Sequence, residues 1–124
     1  MDKATANELL ELILQSLGYI KDRFQSIKSS NDFLAIPNGV EKLDSIAMRL
    51  QSIGEAIKNL DKREPEFLLK VADSNYWSKI IRTREIISHH YIGLDEEIIY
   101  MICDTQIQEL AANIQKLKDS LNNE

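Results

Sequence analysis

Four stretches of this chain repeat apolar residues at steps of three and four, and no stretch repeats them at steps of two. That period puts one apolar stripe along a helix, so the chain reads as a packed set of helices rather than as sheet. With 4 Gly and 2 Pro in 124 residues, an all-β fold with many tight turns is excluded. Hydrophobic residues make up 44% and charged residues 28%, enough apolar surface to offset chain entropy, so disorder is not expected. The length fits one domain over residues 1–124.

The first stripe is Leu10, Ile13, Leu14, Leu17, Ile20, Phe24 and Ile27. It predicts a long helix, capped by Asp2 or Thr5 and ending in the polar run Ser29 to Asp32. Phe33 to Ile36 reads as an apolar connector, and Pro37-Asn38-Gly39 as a break with Asn38 capping the next helix. The second helix, about Val40 to Leu60, carries Leu43, Ile46, Ala47, Leu50, Ile53, Ile57 and Leu60. Gly54 inside it costs roughly 1 kcal/mol relative to Ala, which implies close approach of another helix or backbone. Glu66 to Ala72 reads as a further turn or two. A third helix from about Tyr76 to Tyr91 follows the cap cluster Asp73-Ser74-Asn75, and Gly93 ends it. A fourth begins with the acids Asp95 to Glu97 and continues to about Leu121, with a coiled-coil-like seam. The expected fold is all-α, an up-down bundle of four main helices.

Charge and cysteine narrow the function. Fifteen Lys+Arg against 20 Asp+Glu leave a net charge of −5, which argues against a broad basic face on duplex DNA. A small local RNA site is compatible with it. Cys103 stands alone, so an intrachain disulfide, a thiolate metal cluster and a C-x-x-C pair are all excluded. The N-terminus carries acid and no apolar core, and no run approaches the ~18 residues of a membrane span. A cytoplasmic protein with no membrane partner is expected.

The third helix holds the anomaly. Its stripe is Trp77, Ile80, Ile81, Arg84, Ile87 or Ser88, and Tyr91, with an arginine in line with apolar residues. Within Arg84-Glu85-Ile86-Ile87-Ser88-His89-His90-Tyr91, Arg84 offers a planar donor fork suited to phosphate. His89 is the side chain that moves protons near pH 7. Tyr91 offers a hydroxyl. Five residues separate Arg84 from His89, roughly 7.5 Å along a helix axis, which a long arginine side chain can span. Seven separate Arg84 from Tyr91, so those two share a face. Cation, proton shuttle and hydroxyl at one helix end suit phosphodiester chemistry. An arginine in a bundle also commonly bridges helix ends, and on spacing alone that structural role is the more frequent. Neither His89-His90 nor any HExxH sets metal-ligand spacing, and Ser88 beside His89 does not make a nucleophile pair.

The segment Arg84 to Tyr91 resembles the R-x-x-x-x-H-x-Y pattern of the HepT-like HEPN ribonucleases, the toxin halves of MntA–HepT type toxin–antitoxin pairs. Ile53-Gly54-Glu55-Ala56 resembles the family's glycine-containing stretch in the second long helix. Trp77 to Ile81 resembles its aromatic lead-in, and Tyr91-Ile92-Gly93-Leu94-Asp95 its exit turn. The likeness covers roughly residues 40 to 122, while the first helix matches in length and pattern only. The residue after the motif arginine is usually Asn or Asp in such proteins. Here it is Glu85, longer than Asp by a methylene, able to orient Arg84 and acidic toward RNA phosphate.

The resemblance implies a metal-independent RNA endonuclease without cofactor, acting as a homodimer whose R-x4-H motifs meet at one composite cleft. His89 would transfer protons at the ribose 2′-oxygen and the leaving 5′-oxygen, and Arg84 would stabilise charge on the scissile phosphate. Glu85 and Ser88 are the supporting residues. The implied partner is a cognate MntA-like nucleotidyltransferase antitoxin, which silences the toxin by transferring AMP to Tyr91. The competing reading is a non-catalytic helical module that docks such a nucleotidyltransferase. A docking module would not need Arg84 and His89 together.

Overall fold

A computed structural model describes residues 1–89 and 95–123, apart from the side chains of residues 86, 88 and 89. Seven helices follow one another: α1 (Lys3–Phe24), α2 (Asp32–Ala35), α3 (Gly39–Arg63), α4 (Pro65–Leu69), α5 (Ser74–His89), α6 (Glu96–Thr105) and α7 (Ile107–Asn122). No strand occurs among the described residues. The long rods α1, α3 and α5, with α6 and α7 together as a fourth, make the all-helical bundle that the stripes predict.

The apolar stripes form the core. Leu10, Ile13, Leu17 and Ile20 of α1 meet Leu43, Ile46, Leu50, Ile53, Ile57 and Leu60 of α3, all buried. Ile114 and Leu117 of α7 close over α1. Burying side chains of this size stabilises by about 1.5–3 kcal/mol each. The centre of the bundle is α3, which packs extensively against both α1 and α5.

Local chemistry sets the boundaries. Asp2 caps α1 by accepting the Thr5 N–H at 2.7 Å, and that bond holds its carboxyl below the usual range. The helix stops at Phe24, earlier than the predicted Ser29, because its end tightens into three-residue bonds. Gln25 N–H donates to the Asp22 carbonyl and Ile27 N–H to that of Phe24. Lys28 N–H donates to the Asp32 carboxylate at 2.7 Å, and Ile27 still reaches the core from the turn. The expected connector around Phe33 is the short helix α2, with Phe33 fully buried.

Asn38 does not cap α3 through its side chain. It adopts φ 63°, the left-handed conformation that asparagine tolerates, and turns the chain into the helix. A Cβ at Gly39 would run into the backbone carbonyls of Phe33 and Asp32, so glycine fixes the α2–α3 corner. The turn expected within 66–72 starts one residue earlier as α4, with Pro65 at its first position. The fourth predicted helix is not continuous: it breaks at Gln106, with φ −111°. The Thr105 hydroxyl donates back to the Met101 carbonyl at 2.6 Å, a bond that bends helices. Asp95 caps α6 by accepting the N–H groups of Glu97 and Ile98. No described helix is long and apolar enough to cross a membrane.

Candidate active site

The motif helix is anchored at its start. Asp73 accepts the Tyr76 N–H at 2.8 Å, as the cap cluster suggests. Trp77 is buried, and its indole N–H donates to the carbonyls of Leu68 at 2.9 Å and Ala72 at 3.1 Å. The Tyr76 ring meets Trp77 edge-on, with centroids 4.9 Å apart. From this corner α5 runs along α3, with Trp77, Ile80 and Ile87 buried at helical spacing. The opposite edge, Ser78, Lys79, Arg82 and Glu85, is exposed.

Arg84 lies in the buried stripe, between Ile80 and Ile87, and α3 makes room for it at Gly54. A Cβ on Gly54 would collide with Cβ of Arg84 and come within 3.2 Å of Cγ and 3.4 Å of Cδ. The close approach implied by this glycine is therefore the stem of the motif arginine. The stem lies against the slot while the charged head reaches outward, as long cationic side chains commonly do. Its Nε donates to Oε2 of Glu55 at 2.5 Å, a charge-assisted bond. The terminal nitrogens Nη1 and Nη2 make no hydrogen bond among the described residues. With Arg84 22% exposed and Glu55 64% exposed, solvent screens the pair, so its main effect is orientation rather than stability.

Helical rise places the His89 backbone, at the end of α5, roughly 7.5 Å along the axis from Arg84. Glu85 is exposed on the same helix. The side chains of Ser88 and His89, and all of Tyr91, lie outside the described residues. The structure thus brings Arg84 together with Glu55, a residue that in the sequence stands out only as the neighbour of Gly54. The available signal was its place directly after Gly54. No group of three or more His, Cys, Asp or Glu stands ready for a metal ion among the described residues.

Chemically, a guanidinium fixed at Nε keeps an outer edge of two parallel N–H donors that no described residue occupies. That edge matches two oxygens of a phosphate.

A family model described as "Ribonuclease HepT-like" matches residues 13–117. A protein of Caldanaerobacter subterraneus subsp. tengcongensis described as "Putative RNase" is 31% identical over 91% of this chain and 94% of its own length. Another with that description, from Methanocaldococcus jannaschii, is 28% identical over 96% of this chain and 89% of its own. A third relative, also from M. jannaschii, pairs the same description with a gamma-glutamylcyclotransferase. It is 27% identical over 97% of this chain, which spans 49% of it. No solved structure matches the chain.

Proposed function

The chain belongs to the HepT-like ribonuclease family, and from that premise we propose that it is a metal-independent RNA endonuclease toxin, cytoplasmic and built as one domain over 1–124. The observation that carries this reading is the Arg84 guanidinium, pinned by Glu55 and seated on Gly54, with its outer edge unpaired among the described residues and five residues before His89.

Cleavage proceeds by attack of the ribose 2′-oxygen on the adjacent phosphorus. The 2′-O–P bond forms and the P–O5′ bond breaks, leaving a cyclic phosphate and a 5′-hydroxyl. An imidazole takes the 2′-OH proton and an acid protonates the leaving oxygen. Arg84 stabilises the charge that grows on the non-bridging oxygens. One chain offers one His89, so a two-fold dimer about the motif helix supplies the second from an identical copy. Glu85 and Ser88 support the site.

Silencing falls to a cognate nucleotidyltransferase. The Tyr91 hydroxyl gives its proton to a base of the nucleotidyltransferase and attacks the α-phosphorus of ATP; the tyrosyl O–P bond forms and the bond to pyrophosphate breaks. The tyrosyl AMP adds bulk and a phosphate that competes for Arg84.

The test is induction of the chain alone, beside Arg84→Ala and His89→Ala, with growth and RNA integrity followed. Growth arrest and RNA decay are expected for the parent and neither for the variants. Equal toxicity of all three would overturn the reading. Co-expression with the nucleotidyltransferase is expected to add AMP masses to the parent and none to Tyr91→Phe.

A further inference from the structure

Away from Arg84, on the face where α1 packs against α3, the Tyr19 ring carries two guanidiniums. Arg49 of α3 lies 4.4 Å from its centroid and Arg23 of α1 lies 5.2 Å from it. The ring is 37% exposed. Arg23 also donates from Nη1 to the Tyr19 carbonyl at 3.2 Å. Neither arginine has an ion pair among the described residues, in a chain whose net charge is −5. Two arginines thus share one aromatic ring with no carboxylate partner among the described residues.

The geometry favours an anion. A guanidinium held by a cation–π contact uses its charge rather than its N–H donors, so those donors can still bind an anion. Among the described residues Arg49 donates no side-chain hydrogen bond and Arg23 one, to the Tyr19 carbonyl. Two forks tethered to one ring from two helices match successive phosphates better than one small anion.

Helical geometry relates this spot to the cleavage site. Arg49 and Glu55 are both on α3, six residues and about 9 Å apart along the axis. Arg49 and Gly54, the residue beneath Arg84, flank the exposed ridge formed by Met48, Gln51, Glu55 and Lys58. Arg84 stands at one flank of that ridge and the Tyr19 cluster at the other. A strand whose scissile phosphate sits on Arg84 can cross the ridge to reach Arg49 and Arg23.

We propose that Tyr19, Arg23 and Arg49 form a second phosphate-binding site for single-stranded RNA, holding the strand a few nucleotides from the bond that is cut. The proposal rests on the ribonuclease reading above. It assigns the cluster to RNA backbone and not to a protein partner, because open guanidinium forks without an accompanying apolar pocket suit phosphate.

The experiment measures binding of a fluorescent single-stranded RNA oligonucleotide by anisotropy across a salt series. The full chain carries His89→Ala so that the probe survives. Adding Arg23→Gln and Arg49→Gln is expected to weaken binding about tenfold at low salt. It should also reduce the slope of log K against log salt by about 1.4, two phosphates at about 0.7 each. Arg23→Lys with Arg49→Lys keeps both charges and is expected to keep the slope, which covers the case in which the glutamine pair fails to fold. Unchanged affinity and slope in the folded glutamine pair would overturn the proposal, as would a lysine pair that loses the slope. Loss of nucleotidyltransferase capture with RNA binding intact would assign the cluster to a protein instead. If the parent itself binds no RNA, the ribonuclease reading fails first and the proposal with it.

Discussion

The Arg84 guanidinium is held at Nε, and its two outer nitrogens make no hydrogen bond among the described residues. Everything chemical in the account depends on that arrangement, and two residues of α3 create it. Gly54 supplies space. Alanine there would gain about 1 kcal/mol of helix propensity but drive a methyl into the Arg84 stem, and overpacking of this kind costs about 1–3 kcal/mol. Gly54→Ala is therefore expected to lower stability by about 1 kcal/mol net in urea denaturation, and a gain would show that the helices part freely. Glu55 supplies orientation. Because the pair is partly exposed, Glu55→Ala is expected to change stability by under about 1 kcal/mol. It should slow RNA cleavage about tenfold, equivalent to roughly 1.4 kcal/mol of transition-state stabilisation. Single-turnover rates beside melting curves separate the two effects. Of this residue-scale picture, the sequence exposed the oddity of Arg84 in an apolar stripe and of Gly54 inside a helix. It did not join them, because the contact lies between segments 30 residues apart and no local spacing encodes it.

At the scale of elements, periodicity carried the long helices and missed their interruptions. The stripe from Ile99 through Ile102 and Cys103 steps by four onto Ile107, so the apolar pattern runs straight across the break at Gln106. Only Thr105, with its hydroxyl on Met101, hinted at a bend. The helix α2 was hidden for a related reason. Four residues are too few to show a period, and α2 is stabilised by Phe33 in the core and by its contact with Gly39. The α6–α7 junction also offers a pH test. Cys103 is buried there, and desolvation pushes its thiol up to about 12 from an ordinary 9.0. Below pH 9 the thiol is protonated both folded and unfolded, so it adds no pH dependence. Between pH 9 and about 12 the unfolded chain ionises while the folded one keeps its proton. Stability then falls by up to about 1.4 kcal/mol per pH unit from this group. Denaturation of the parent and of Cys103→Ala across pH 7–11 isolates the contribution. The difference between them is expected to be flat below pH 9 and to narrow above it, while a difference that stays flat throughout would mean the thiol is solvated.

At the scale of the whole molecule, α5 is the outermost long rod in its packing: its main partner is α3, and its edge of Lys79, Arg82 and Glu85 faces outward. The proposed reacting groups lie on a helix that packs, among the described residues, chiefly on one side, and the proposed second copy meets the other. The account expects a dimer in light scattering at micromolar concentration, and a fully active monomer would contradict the composite cleft. The helical class, the motif and its family were legible in one chain, since they are written in stripe and spacing. The proposed joining of two motifs rests on resemblance and on the single His89 per chain, because an interface between copies leaves no periodic mark of its own.

The central claim is that Arg84 and His89 cut RNA without a metal. Its most direct test is a cleavage assay on purified chain in EDTA, with single-stranded RNA and with DNA of the same sequence. The account predicts cleavage of the RNA in EDTA, none of the DNA, which lacks the attacking 2′-hydroxyl, and a loss of at least about a hundredfold in Arg84→Ala and His89→Ala. Activity abolished by EDTA and restored by Mg²⁺, or retained in both variants, would contradict it.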